Sequence, residues 1–184
     1  MTIVWIDTET TGLDPETESL LEVACIITRD DLTRLYSREW LVAYDVDQVW
    51  AMHEKAGPYV QEMHTRTGLW NRLLRGESTS LRDIDAELSE VIATYSKGEE
   101  KAPLLGGNSV HFDREFMKIH LPLSESGLHY RNLDMSSVEP FLLGSLPGEE
   151  PFPKLYAHAA LEDIEETLAQ AGYWRDFVST RVRD

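Results

Sequence analysis

The first thirteen residues constrain this chain most. Ile3-Val4-Trp5-Ile6 is a short apolar run, and Asp7-Thr8-Glu9-Thr10-Thr11-Gly12-Leu13 follows it directly. Four apolar residues bounded by a polar, glycine-containing stretch predict a buried strand. Side chains alternate faces along a strand, so Asp7 and Glu9 point the same way. At a rise of roughly 3.3 Å per residue, their α-carbons lie about 6.6 Å apart. Two carboxylates on one side of a strand end repel each other unless positive charge lies between them. A pair of divalent cations supplies that charge. A lone Asp-x-Glu is equally compatible with a turn cap beside a solvated glutamate, so the decision rests on what lies downstream.

The chain has 184 residues, 42% hydrophobic and 27% charged, which suits one globular domain spanning 1–184. No stretch approaches the roughly 18–20 apolar residues of a membrane span. The N-terminus runs straight into a strand, without the basic and apolar segments of an export signal. The single cysteine, Cys25, lies in an apolar run and is expected in the core. One cysteine provides neither a disulfide framework nor a cysteine zinc site, which suits a reducing cytoplasm. The net charge of -16 is more restrictive. An acidic surface repels phosphate backbones, so a protein gripping long nucleic acid should be basic. Three options follow: nucleic acid is not the ligand, only a short piece binds with metal help, or the charge serves solubility.

Leu20 to Ile27 and Leu35 to Tyr44 predict two further strands, with a turn at Arg29 to Thr33. Three strands on short loops suggest an antiparallel meander. Gly57 and Pro58 break a short helix that begins near Asp47, and Gly68 and Gly76 bracket another at Leu69 to Arg75. Leu81, Ile84, Leu88, Val91, Ile92 and Tyr95 follow helical spacing, with Ser80 and Asp83 at the start and Gly98 as a stop. Leu104-Leu105 is a short strand and Phe112 to His120 a helix. Tyr130 to Asp134 is another strand, followed by a helix from Ser136 to Leu143. Gly144 to Pro153, with three prolines and two glycines, predicts a loop. Two last helices are expected, Leu161 to Ala171 and Tyr173 to Val182, divided at Gly172. The fold class is therefore α/β, a mixed central sheet flanked by helices.

Three positions join Asp7 and Glu9 as candidates. Asp113 opens a helix after a Gly-Asn-Ser turn, Asp163 lies in a first helical turn, and His158 precedes Asp163 by five residues. Taken singly, an Asp in a first turn answers the helix dipole and a loop histidine is a surface residue. The combination is what carries information.

That combination resembles the DEDD superfamily of 3′-to-5′ exonucleases, in the subgroup with histidine in its third motif. The motifs are Asp7 to Asp14, Asn108 to Phe116, and His158 to Ile164. Within the superfamily the chain is most similar to the oligoribonuclease family. That similarity rests on Gly107-Asn108-Ser109, on His129-Tyr130-Arg131-Asn132-Leu133-Asp134-Met135-Ser136, on His64-Thr65 with Gly68-Leu69, and on Tyr173-Trp174-Arg175-Asp176-Phe177. It spans essentially the whole chain and implies a ribonuclease H-like fold, an antiparallel meander followed by parallel strands.

The resemblance implies two Mg²⁺ or Mn²⁺ ions held by Asp7, Glu9, Asp113 and Asp163. Carboxylates are hard-oxygen ligands suited to both metals. A pair about 3.5–4 Å apart clamps the attacking and leaving oxygens of an in-line phosphoryl displacement. His158 is the implied general base, and an unperturbed pKa near 6.5 suits that role. Further implied roles are Leu13 as a wedge against terminal bases, and Ser109, Arg131 and Ser136 around the 5′ phosphate of a dinucleotide. Tyr130 is implied to reach the active site of a second subunit in a homodimer. His64 and His129 are expected at the substrate edge.

The implied substrates are short single-stranded RNA oligonucleotides of two to five nucleotides, released as 5′-nucleoside monophosphates. Few phosphates need few cationic contacts, which accommodates the acidic surface. Three features depart from the pattern, one of them a shortened and altered proline-rich segment before His158. Thr8 and Thr10 stand where large apolar residues are usual, giving an Asp-Thr-Glu-Thr-Thr-Gly form typical of bacterial proofreading exonucleases. Phe112 replaces a usual glutamine. A proofreading or repair exonuclease on single-stranded DNA is the alternative reading. An inactive acidic binding module is a third.

Overall fold

The computed structural model describes residues 1–146, 148–154 and 158–181. Its centre is a six-stranded mixed sheet. β1 (Thr2–Thr10), β2 (Leu20–Arg29) and β3 (Arg34–Val42) form the expected antiparallel meander. β1 is longer than its apolar run suggests, because Asp7, Thr8 and Glu9 pair with Ala24, Val23 and Glu22 of β2 and, after a bulge between Glu9 and Thr10, Thr10 pairs with Leu20. The acidic motif is therefore part of the strand rather than the loop after it.

After β3, the chain forms α1 (Val46–Lys55), α2 (Pro58–Arg66) and α3 (Leu69–Arg75). Asp45 caps α1 in a reciprocal capping box with Gln48. Pro58 ends one helix and starts the next, since its missing N–H costs nothing in a first turn. The sequence reading took it only as a breaker. β4 (Ser78–Thr79), also unforeseen, adds two residues in parallel to β3. Ser80 then caps α4 (Leu81–Tyr95), accepting from the Asp83 amide at 3.2 Å.

β5 (Leu104–Gly107) lies parallel to β1 on its other side. Its glycines permit close approach: a Cβ on Gly106 would stand 2.7 Å from the Trp5 ring, and one on Gly107 2.8 Å from Val110. α5 (His111–His120) and the unforeseen short α6 (Pro122–Ser126) follow. β6 (Asn132–Asp134) pairs in parallel with β5 and leads into α7 (Met135–Ser145). Of the loop expected at 144–153, residues 144 and 145 belong to α7 and Pro147 lies outside the described residues. The last element is α8 (Ala160–Arg181), one continuous helix. Gly172 does not divide it, as the sequence reading expected, and Val182 lies outside the described residues. A mid-helix glycine costs about 1 kcal/mol relative to alanine. Here Ala171 and Trp174 are buried on either side of it, and that packing offsets the cost.

The sheet order is β4-β3-β2-β1-β5-β6, and both faces of its centre are covered. Val4 and Ile6 of β1 join Val23, Cys25, Phe116 and helix α4 residues in one core. Ile3 and Trp5 join Ala24, Ile26, Ile164 and Trp174 in another. Even-numbered residues of β1 thus face α4 and α5, and odd-numbered residues face α7 and α8.

Candidate active site

That alternation assembles the site. Continued past Ile6, it sends Asp7 and Glu9 toward α8 and Thr8 toward α5. Asp163, in the first turn of α8, meets Asp7 and Glu9: ligand oxygens of the three lie within 4.8 Å of one another. Asp113, in the first turn of α5, is buried and accepts a 2.7 Å hydrogen bond from Thr8 Oγ1. The strand end therefore gathers four carboxylates, three from the α8 side and one tethered through Thr8.

Burial above all, with mutual repulsion added at Asp7 and Glu9, raises their proton affinities. Burial, then Asp113, Glu9 and Asp163, holds Asp7 well above the usual carboxylate range. Burial and the neighbouring Asp163, Glu22 and Asp113 push Glu9 up to about 8. Burial pushes Asp113 up to about 7 against the opposing Thr8 hydroxyl. Burial also raises Asp163, while His158 opposes it through its charge and a backbone hydrogen bond. Asp7, Glu9 and Asp163, hard oxygen donors at ligand spacing, fit a divalent cation, which would relieve the repulsion between them.

His158 lies beside this cluster. It lines a cavity of about 160 Å³ together with Asp7, Asp163, Glu166, Asn108 and Lys154. Its backbone has φ 56°, in the left-handed region, as does Ser109 with φ 51°. Non-glycine residues held there carry strain that the surrounding structure must maintain.

The other expected residues fall into three groups. Ser109 and Ser136 come together at the start of α7, where Asp134 is the cap. The Ser109 amide donates to Asp134 Oδ1 at 3.0 Å and to Ser136 Oγ at 3.2 Å, and Ser136 Oγ donates to Asp134 Oδ1 at 2.6 Å. Arg131 does not join them directly; its guanidinium lies 5.3 Å from the Tyr130 ring centroid. Tyr130 is 75% exposed and stacks on His129 with centroids 4.5 Å apart. The segment is anchored by buried Arg114, which donates to the carbonyls of His129 at 2.6 Å and Tyr130 at 3.0 Å. Leu13 is 82% exposed beside the strand end.

His64 departs from expectation. It has no exposed surface, so it occupies neither a substrate edge nor the protein surface. Its Nε2 lies 2.9 Å from the Thr10 carbonyl, and Nδ1 lies 3.8 Å from Glu9 Oε2. A carbonyl only accepts, so Nε2 carries the proton. Burial lowers the His64 pKa, opposed by the hydrogen bond to the Thr10 carbonyl. His64 backs the strand end that carries Glu9.

Sequence reasoning overlooked Glu22 and Lys154 and gave Thr8 no supporting role. Glu22 sits directly across from Glu9 in the β1–β2 register and is buried. Arg72 Nη1 pairs with Glu22 Oε1 at 2.7 Å, and Glu39 also pairs with Arg72. Glu22 Oε2 accepts from the Ala160 amide at 3.4 Å, at the start of the helix that carries Asp163. One signal was available: an acid interrupting the otherwise apolar Leu20 to Ile27.

This mixed sheet has a ribonuclease H-like arrangement and gathers carboxylates at the end of a central strand, a donor set suited to divalent cations. Residues 4–171 match the family model described as exonuclease, RNase T, and the chain belongs to that family. Among its relatives is oligoribonuclease of Pseudomonas syringae pv. syringae (strain B728a), 34% identical over 95% of this chain and 94% of that protein. Oligoribonuclease of Neisseria meningitidis serogroup B (strain MC58) is 34% identical over 95% of this chain and 90% of the relative. Among solved structures, the zinc-bound E. coli exonuclease I complex with single-stranded DNA superposes with a TM-score of 0.69 at 14% identity. That match covers 93% of this chain and 39% of the exonuclease I chain, and it supports the fold alone.

Proposed function

We propose that residues 1–184 act as one domain, a 3′-to-5′ exoribonuclease that cuts short oligoribonucleotides to 5′-nucleoside monophosphates. The observation that carries this reading is the convergence of Asp7, Glu9 and Asp163 at ligand spacing beside His158. Asp7, Glu9, Asp113 and Asp163 would hold two divalent cations, Mg²⁺ or Mn²⁺. When bound, these cations supply positive charge to the phosphoryl oxygens and make water a better nucleophile. His158 accepts a proton from the attacking water. Thr8 holds one Asp113 oxygen and thereby orients the other.

Leu13, exposed at the end of the motif, offers an apolar surface to the terminal bases. The Ser109 hydroxyl, held only by a long 3.4 Å bond to Ser136, would turn to a 5′ phosphate, Ser136 would join it by turning from Asp134, and Arg131 offers a forked cation. His129 shapes the presentation of Tyr130. Tyr130, exposed and rigidly backed, fits a role across a homodimer interface. Cytoplasmic residence agrees with a lone buried cysteine and with the absence, among the described residues, of any helix able to cross a membrane.

The DNA alternative rests on Thr8 and Thr10 together with Phe112 and the altered segment before His158. The Thr8 hydroxyl turns inward to Asp113, and that of Thr10 donates to the Gly12 carbonyl at 2.7 Å. Both hydroxyls are engaged inside the fold, so these two threonines do not themselves favour DNA. All four carboxylates and His158 are present, which argues against an inactive binding module. Length dependence tests the reading. Turnover is expected to fall steeply from dinucleotide to 20-mer RNA, and equal rates on both would refute a short-substrate enzyme.

A further inference from the structure

Lys154 lines the same cavity as Asp7, His158 and Asp163, and it is the one lysine or arginine doing so among the described residues. Its position is fixed from α8. Asn108 Nδ2 donates to Thr167 Oγ1 at 2.7 Å and to Gln170 Oε1 at 3.1 Å, and both of these residues are buried. With its amide nitrogen so engaged, Asn108 turns Oδ1 to the Lys154 ammonium, 2.8 Å away. Thr167 Oγ1 in turn donates to the Asp163 carbonyl at 2.8 Å. The ammonium is thus set relative to Asp163 through a single turn of helix. An ammonium has three donors, and Asn108 takes one. Glu139 also feels the Lys154 charge, but its carboxylate is engaged by Trp174 Nε1 at 2.6 Å and the Phe152 amide at 3.1 Å.

The wall this lysine shares is acidic, with Asp7, Asp163 and Glu166. A phosphodiester carries its own negative charge into that wall and gains more as water adds to phosphorus. A preorganised cation at the point of charge development is what such a step needs. We propose that Lys154 is a catalytic residue whose ammonium contacts a non-bridging oxygen of the scissile phosphate, with Asn108 as its positioning residue. This rests on the exoribonuclease reading and assigns one more contact to it. Lys154 transfers no proton. Water adds to phosphorus and gives a proton to His158. The bond to the 3′ oxygen breaks, and that oxygen leaves with the shortened strand and takes up a proton.

The test is a series of substitutions assayed on dinucleotide RNA, with folding followed by thermal melting. Lys154→Met removes charge and donors, Lys154→Gln keeps a donor for Asn108 without charge, and Lys154→Arg keeps the charge. A charged hydrogen bond lost at the phosphate lowers kcat/KM about 10–100-fold. Lys154→Met and Lys154→Gln are expected to fall by that factor alike, and Lys154→Arg to recover most of the loss. Asn108→Ala is expected to reduce turnover too, and to add little to Lys154→Met in the double variant. Full activity in Lys154→Gln would mean that the lysine only tethers the segment leading to His158, and would overturn the proposal. Unchanged activity across the series would overturn it as well, as would equal loss in the arginine variant. If wild-type protein leaves RNA uncut, the exoribonuclease reading fails, an outcome distinct from all of these.

Discussion

Thr8 shows how much a single side chain can do here. Lying between Asp7 and Glu9, it points to the opposite face and holds Asp113 by a buried 2.7 Å bond. Partners that orient metal ligands typically account for about 10–100-fold in activity or metal affinity. Thr8→Val, nearly the same shape, is expected to lose activity by about that factor, and Thr8→Ser to retain most of it. Steady-state rates at saturating Mn²⁺ check both; wild-type rates in Thr8→Val would make the bond incidental. Asp7, Glu9 and their common face were legible because a strand has a strict period of two. The role of Thr8 was not, because it depends on which helix covers the other face. His64 was misplaced for a similar reason: burial is a tertiary property, and a histidine in a polar helix carries no local sign of it.

Among the elements, those with strong periodicity were read with nearly correct bounds. The helix from Leu69 to Arg75 matches its expected range, and α4 begins at the expected cap. The short elements α2, α6 and β4 were missed. β4 and α6 are too short to show a period, and α2 starts at the Gly57-Pro58 pair, which on its own signals a break. Helix α8 illustrates the opposite limit, since local propensity at Gly172 pointed to a break and packing overrode it. A Cβ at Gly172 would meet Leu32 at 3.6 Å, an ordinary contact. Gly172→Ala is therefore expected to stabilise the protein by roughly 0.5–1 kcal/mol and to leave catalysis unchanged. Urea melts read this directly, and destabilisation would mean that Gly172 is needed where the helix approaches the β2–β3 turn.

For the whole molecule, the clustered acids link stability to pH. Glu9 and Asp113 rise from ordinary values of 4.5 and 3.8 to about 8 and about 7, and Glu22 rises from 4.5 to about 7. A carboxylate raised on folding favours the folded state below its unfolded value, and that contribution disappears as pH climbs through the folded value. Cation-free protein should therefore lose thermal stability between about pH 4.5 and 8. Each 1 kcal/mol lost lowers Tm by about 2–4 °C at this size. Mg²⁺ or Mn²⁺ should restore most of the loss at pH 8 and little at pH 5, where protons already neutralise the site. Melting curves with chelator and with metal decide this; a cation-free Tm that rises across the window would contradict the assigned cluster.

The acidic surface, the four carboxylates and His158 meet in one claim, that the chain removes nucleotides from the 3′ end of short RNA by metal-dependent hydrolysis. The most direct measurement follows 5′-labelled dinucleotide RNA, heptamer RNA and heptamer DNA with Mg²⁺ or Mn²⁺, for the wild type and for Asp163→Ala. A ladder of 5′-labelled products shortening from the 3′ end is predicted for RNA, with the dinucleotide turned over fastest and DNA slowest. Asp163→Ala should be folded and inactive. Cleavage of DNA in preference to RNA, or wild-type turnover by Asp163→Ala, would contradict the account.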